Sequence, residues 1–95
     1  MSGTGYRVVA AHEPGLADHF PGRPLVPAVL ILAHAIAAAP GTVTGVRSAK
    51  FLRPLAPDTP FRVRGTPTAP GRWRFSVRDA ADQELAHGEL ELASA

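Results

Sequence analysis

Residues 28–39 read AVLILAHAIAAA, and His34 is their one polar side chain. Pro27 precedes the run and Pro40-Gly41 follows it. Proline is well tolerated in the first turn of a helix, whose N–H groups have no partner within the helix anyway. A Pro-Gly pair stops a helix. The spacing therefore predicts a helix over Ala28 to Ala39. A helix that is apolar all round must be covered on every side. At ~1.5 Å per residue it is only ~18 Å long, too short for a bilayer, which needs ~20 apolar residues. The rest of the chain has to wrap this helix.

What is left to wrap it reads as β-structure. Tyr6 to His12 (YRVVAAH) is rich in β-branched and aromatic residues and ends at Glu13-Pro14-Gly15. Leu16 to Pro27 holds too many Pro and Gly residues for a regular element and reads as a structured loop. After the helix, Thr42 to Leu52 is a long strand with Gly45 as a candidate bulge. Pro54 to Pro60 is a turn. Phe61 to Thr66 sets Phe61 and Val63 on one face, Arg62 and Arg64 on the other. Gly71 to Arg78 sets Trp73, Phe75 and Val77 against Arg72, Arg74, Ser76 and Arg78. Asp79 to Asp82 is a turn. Gln83 to Leu92 sets Ala86, Gly88, Leu90 and Leu92 against His87, Glu89 and Glu91. Leu85 breaks that alternation, and periodicity assigns it to neither face. Pairing the last two strands as a hairpin places arginines beside glutamates, a gain of ~0.2–1 kcal/mol per exposed pair. Four antiparallel strands, apolar on one face, and one apolar helix have an economical solution: an α+β fold with the sheet curled round the helix.

Ninety-five residues make one domain, 1–95, small enough that association is an expected source of further burial. There is no cysteine, which removes disulfides and thiolate chemistry. No His/Cys cluster or HExxH motif suggests a metal, and no cofactor is expected. His12 and His87 show no ligand spacing to each other. No Gly-rich phosphate loop or nucleophile-elbow serine appears. The N-terminus MSGTGYRVV lacks a signal-peptide pattern, so a cytoplasmic protein is expected. Net charge is +2 and arginine dominates the cations, many between Arg47 and Arg78. Such residues read either as a solvated sheet face or as a landing site for an acidic partner. Nucleic acid fits less well, since no basic helix or aromatic RNA-binding motif is present.

The chemistry concentrates in His19-Phe20-Pro21-Gly22-Arg23-Pro24-Leu25-Val26-Pro27, a stiff turn leading into the helix. The N–H groups of Ala28 and Val29 sit at the positive end of the helix dipole, a site suited to a carbonyl oxygen gaining negative charge. An imidazole nearby suggests acid/base work on a carbonyl compound. A lone loop histidine is often only structural; this setting favours function.

HFPGRPLVPAVLIL resembles the active-site segment of the hotdog-fold 3-hydroxyacyl-[acyl-carrier-protein] dehydratases. A second block, Lys50-Phe51-Leu52-Arg53-Pro54-Leu55-Ala56-Pro57-Asp58, is similar to that family's strand-and-turn. The looser likeness runs from about Tyr6 to Leu92. The resemblance implies a hotdog fold, a dimer joined sheet edge to sheet edge, and loss of water from 3-hydroxyacyl groups on acyl carrier protein. It implies that His19 removes the α-proton, its second ring nitrogen held by the Leu25 carbonyl. Gly22, Leu25, Ala28 and Val29 become the oxyanion and substrate site. Arg23, Arg47, Lys50 and Arg53, which flank the two blocks, become the landing site for an acidic carrier protein.

Two positions depart from the family pattern. The glycine after the second proline is Ala28, which keeps the N–H and adds a methyl group. The helix acid falls on Ala33, which cannot donate a proton. His34, about 100° round the helix, either replaces that acid or is a core histidine. Asp18 and Glu13 lie near His19 in sequence, where orientation or solvation explains them equally well. Two other readings stay open: a hotdog thioesterase, which also wants the helix carboxylate, and a non-catalytic acyl-binding or dimer-partner subunit. Members this short resemble stand-alone dehydratases of polyketide-like or aryl-polyene pathways as much as those of fatty acid synthesis.

Overall fold

The structure, a computed structural model, describes residues 6–9 and 25–93. Helix α1 spans Ala28–Ala38, and four strands follow: β1 Val43–Phe51, β2 Phe61–Ala69, β3 Arg72–Asp79 and β4 Glu84–Leu92. They form one antiparallel sheet in the order β1-β4-β3-β2. This is the α+β arrangement expected from the pattern. Of the N-terminal strand, Arg7 makes an isolated antiparallel bridge to Phe61; residues 10–12 of that expected strand lie outside the described residues. The sheet reaches further than the alternation suggested. β2 runs on through Pro67 to Ala69, tolerated because that end of the strand lies at the sheet edge.

The alternation places the core. Phe61, Val63, Trp73, Phe75, Val77, Ala86 and Leu90 are all buried. Leu85 is buried too, and the register explains it. Val77 pairs with Ala86 and Arg78 with Glu84, so Leu85 is an extra residue in β4. A β-bulge of this kind lets two neighbouring side chains turn to one face. In β1 the register shifts between Val43 and Gly45 and again between Val46 and Ser48, so the bulge expected near Gly45 has a second beside it.

Two glycines mark close approach. A Cβ at Gly65 would overlap the Trp73 indole, and one at Gly88 would meet the Phe75 ring and the Ser48 carbonyl. Both aromatic rings fill space that a side chain on the neighbouring strand would need.

Charge pairing is richer than a two-strand hairpin supplies. Arg78 reaches Glu84 at 3.6 Å and Arg72 reaches Glu89 at 4.0 Å. Arg47, from β1 on the other side of β4, reaches Glu91 at 3.0 Å and Glu89 at 3.3 Å. In the β3–β4 turn, Asp79 Oδ1 accepts from the amides of Ala81 and Gln83, both at 2.9 Å. Beside it, the Arg62 guanidinium donates to Asp82 and holds that carboxyl below the usual carboxylate range.

The helix corrects one expectation. Ile31 and Ala35 are buried, yet Val29 is 69% exposed and Ile36 37%. Within one chain the helix is covered on one face only, because a single sheet has one inner face to offer a cylinder. Val46, Phe51 and Leu52, on or just past the edge strand β1, are exposed as well.

Candidate functional site

The two sequence blocks meet at the start of the helix. The amide of Val26 donates to the carbonyl of Leu55 at 2.8 Å, and both side chains are buried. The bulge at Leu85 holds the other side. Its carbonyl accepts from Leu52 at 2.8 Å and from Arg53 at 3.2 Å, where the chain leaves β1. Between these clamps lies a cleft of about 260 Å³, lined by Val26, Ala28 and Ile31 on one side and Phe51, Arg53 and Pro54 on the other.

Pro27 is the N-cap, with φ −59° and ψ 144°. Its carbonyl accepts from Leu30 at 3.0 Å and Ile31 at 3.4 Å. Ala28 and Val29 are thus the first two helical residues, whose N–H groups have no acceptor inside the helix. A carbonyl oxygen entering the cleft would meet the positive end of the helix dipole.

A larger hollow of about 460 Å³ lies over β3 and β4, among Arg74, Ser76, Glu84 and His87. It holds no part of the helix start, and of the two sequence blocks neither contributes to its wall. The smaller cleft is the candidate site because both blocks build it.

His19, Gly22 and Arg23 lie outside the described residues. Leu25, half-buried, leads directly into the cleft wall. Lys50 and Arg53 are exposed as a landing site requires. Arg47 is engaged by Glu89 and Glu91, so its charge is largely answered within the chain.

Ala33 and His34 face different ways. Ala33 is exposed, on the bare side of the helix. His34 turns toward the sheet: its ring stands edge-on to Phe61 with centroids 5.2 Å apart, and Nδ1 lies 3.3 Å from Arg7 Nη1. A guanidinium has only donors, so Nδ1 accepts and the ring proton sits on Nε2. Within the described chain the helix is not rotated to bring His34 to the position of Ala33.

Arg7 was invisible as a partner of His34, since 27 residues separate them. The exposed pair Phe51-Leu52 was hidden for a different reason: periodicity assigns strand residues to faces but does not say which strand is the edge.

The ApeI-like family (ApeI dehydratase) matches residues 5–89. A 3-hydroxyacyl-[acyl-carrier-protein] dehydratase FabZ of Chlamydia trachomatis is 32% identical, over 88% of this chain and 67% of its own length. The same enzyme of Thermus thermophilus is 35% identical, over 92% and 68%. Among solved structures, the dehydratase heterocomplex ApeI:P from Xenorhabdus doucetiae superposes with a TM-score of 0.74 at 18% identity, covering 90% of this chain and 81% of that one. With the hotdog arrangement, the helix-start cleft and both blocks in place, this chain belongs to the ApeI-like dehydratase family.

Proposed function

We propose that the protein dehydrates 3-hydroxyacyl thioesters carried on acyl carrier protein, giving trans-2-enoyl thioesters. The observation that carries this reading is the cleft at the N-terminus of α1, where the two blocks shared with such dehydratases meet. Ala28 and Val29 donate to the thioester carbonyl, whose oxygen gains charge as the α-proton leaves. His19 is the base that takes that proton, and Gly22 and Leu25 complete the substrate site. Neutral imidazole suits the task near pH 7 without a large shift. That product class suits fatty acid or polyketide/aryl-polyene type synthesis, with a cytoplasmic location as part of the proposal.

The leaving hydroxyl needs a proton that Ala33 cannot supply. Its position on the bare helix face supports a second reading, a non-catalytic acyl-binding or dimer-partner subunit that kept the fold but lost the acid. One assay separates the two. The protein is incubated with 3-hydroxyacyl carrier protein and enoyl formation followed, beside Ala33→Glu. Turnover by the parent, maintained or raised in Ala33→Glu, supports the dehydratase. A silent parent beside an active Ala33→Glu selects the partner-subunit reading.

The bare helix face and the apolar edge at Val46, Phe51 and Leu52 support a homodimer joined through β1, with the site at the interface. Light scattering at micromolar concentration should give about twice the 10.0 kDa chain mass. A species of single-chain mass alone would remove the shared site.

Carrier proteins are acidic, so Arg23, Lys50 and Arg53, with Arg47 a lesser contributor, should speed encounter. Carrier affinity should fall as salt rises from low to physiological strength, since screening shortens the reach of surface charge. Affinity indifferent to salt would exclude this surface.

A further inference from the structure

We infer that His34 is a positioning residue: through Arg7 it ties the N-terminal segment to the helix and so fixes one end of the stretch that carries His19. The inference rests on the proposed dehydratase reading for its catalytic consequence, though not for the tie itself.

Three contacts made by one short stretch, Leu55 to Phe61, carry it. Leu55 accepts the amide of Val26, downstream of His19. The amide of Asp58 donates to Val9, upstream of it, at 2.8 Å. Phe61 exchanges both backbone bonds with Arg7, its amide donating at 2.9 Å and its carbonyl accepting at 2.6 Å. Val9 and Val26, described residues on either side of 10–24, are therefore both bonded to this one stretch. Val9 and Val26 are buried there, at 4% and 6% exposure.

The downstream end continues directly into α1. The upstream end is held by backbone bonds at two residues, the Arg7–Phe61 bridge and the Asp58–Val9 bond, short of the three or more strands that make β-structure independently stable. His34 adds a side-chain hold from the helix. Its ring packs edge-on against Phe61 while Nδ1 accepts from the Arg7 guanidinium. The imidazole thus touches both partners of the bridge and sits on the helix that bears the oxyanion donors. The flank upstream of His19 and the oxyanion site are thus held to a common frame, and misplacement of ~1 Å in such a frame costs up to ~10²-fold in rate.

The test uses His34→Asn, whose Oδ1 replaces Nδ1 as acceptor, His34→Leu, which has none, Arg7→Met, and the double variant Arg7→Met/His34→Leu. Amide exchange at Arg7 and Phe61 should speed by about tenfold in His34→Leu and Arg7→Met and by less than about threefold in His34→Asn. Turnover should follow the same order, with a pH profile in His34→Asn like the parent's. The double variant should cost no more than the worse single one, because residues acting through one contact are not additive. His34→Asn as inactive as His34→Leu, with both amides still protected, would show that the imidazole itself does chemistry and overturn the inference. So would additive losses in the double variant. A parent without turnover sinks the proposed activity alone, and the exchange measurements still decide the tie.

Discussion

His19→Ala lowers turnover on any accepted 3-hydroxyacyl thioester by ~10²–10⁴, the usual cost of losing one general base. The motive is its place in HFPG, upstream of a helix start whose Ala28 and Val29 N–H groups have no acceptor inside the helix and are the proposed donors to the same substrate. A loop imidazole carries little packing, so the unfolding midpoint and far-ultraviolet circular dichroism should match the parent's. The loss should appear in kcat as well as kcat/KM, because proton abstraction acts in the transition state and not in binding. Parent-like turnover by His19→Ala would remove His19 as the base and leave the cleft without a proton acceptor.

Phe75→Ala destabilises the fold by ~3–5 kcal/mol, the range for removing a fully buried phenylalanine. Phe75 has no exposed surface, stands in an inner strand, and lies against the bare backbone of Gly88. With no side chain at Gly88 to move in, little can collapse into the space. Each kcal/mol shifts the midpoint of a domain this size by roughly 4–8 °C, so melting should fall by at least ~12 °C. Denaturant unfolding checks it: the midpoint concentration drops while the slope stays constant. Phe51→Ala is the contrast. Phe51 is exposed at the edge strand, so its loss should weaken association and leave single-chain stability nearly unchanged. A Phe75→Ala protein within ~1 kcal/mol of the parent would mean the core repacks round the gap, against the rigidity expected of a close-packed interior.

Much of the fold was legible because its information is periodic. Alternation in β2, β3 and β4 names the inward side chains, and it held for Phe61, Val63, Trp73, Phe75 and Val77. Pro27 and Pro40-Gly41 bounded the helix to within one residue, because proline and glycine act on the backbone locally. Leu85 resisted because a bulge is defined by two strands together. An extra residue on one strand exists only relative to its partner's register. Arg47 resisted for a related reason. The hairpin of β3 and β4 was readable from neighbouring sequence, while β1 closes against β4 across separations running from Phe51–Ala86 to Val43–Leu92, and its arginine takes glutamates that the hairpin pairing had set beside the β3 arginines.

By itself, the sequence determined the element order, the buried face of the sheet, the family, and the two blocks from which a site is built. Those follow from local backbone preference and from period, which need no knowledge of what lies across space. Only the tertiary structure decided how the helix is turned. It set Ala33 outward and turned His34 inward onto Arg7 and Phe61. An apolar helix has no polar stripe to orient it. Its rotation is settled by which side chains best fill the space over the sheet, and that is a property of the packed whole.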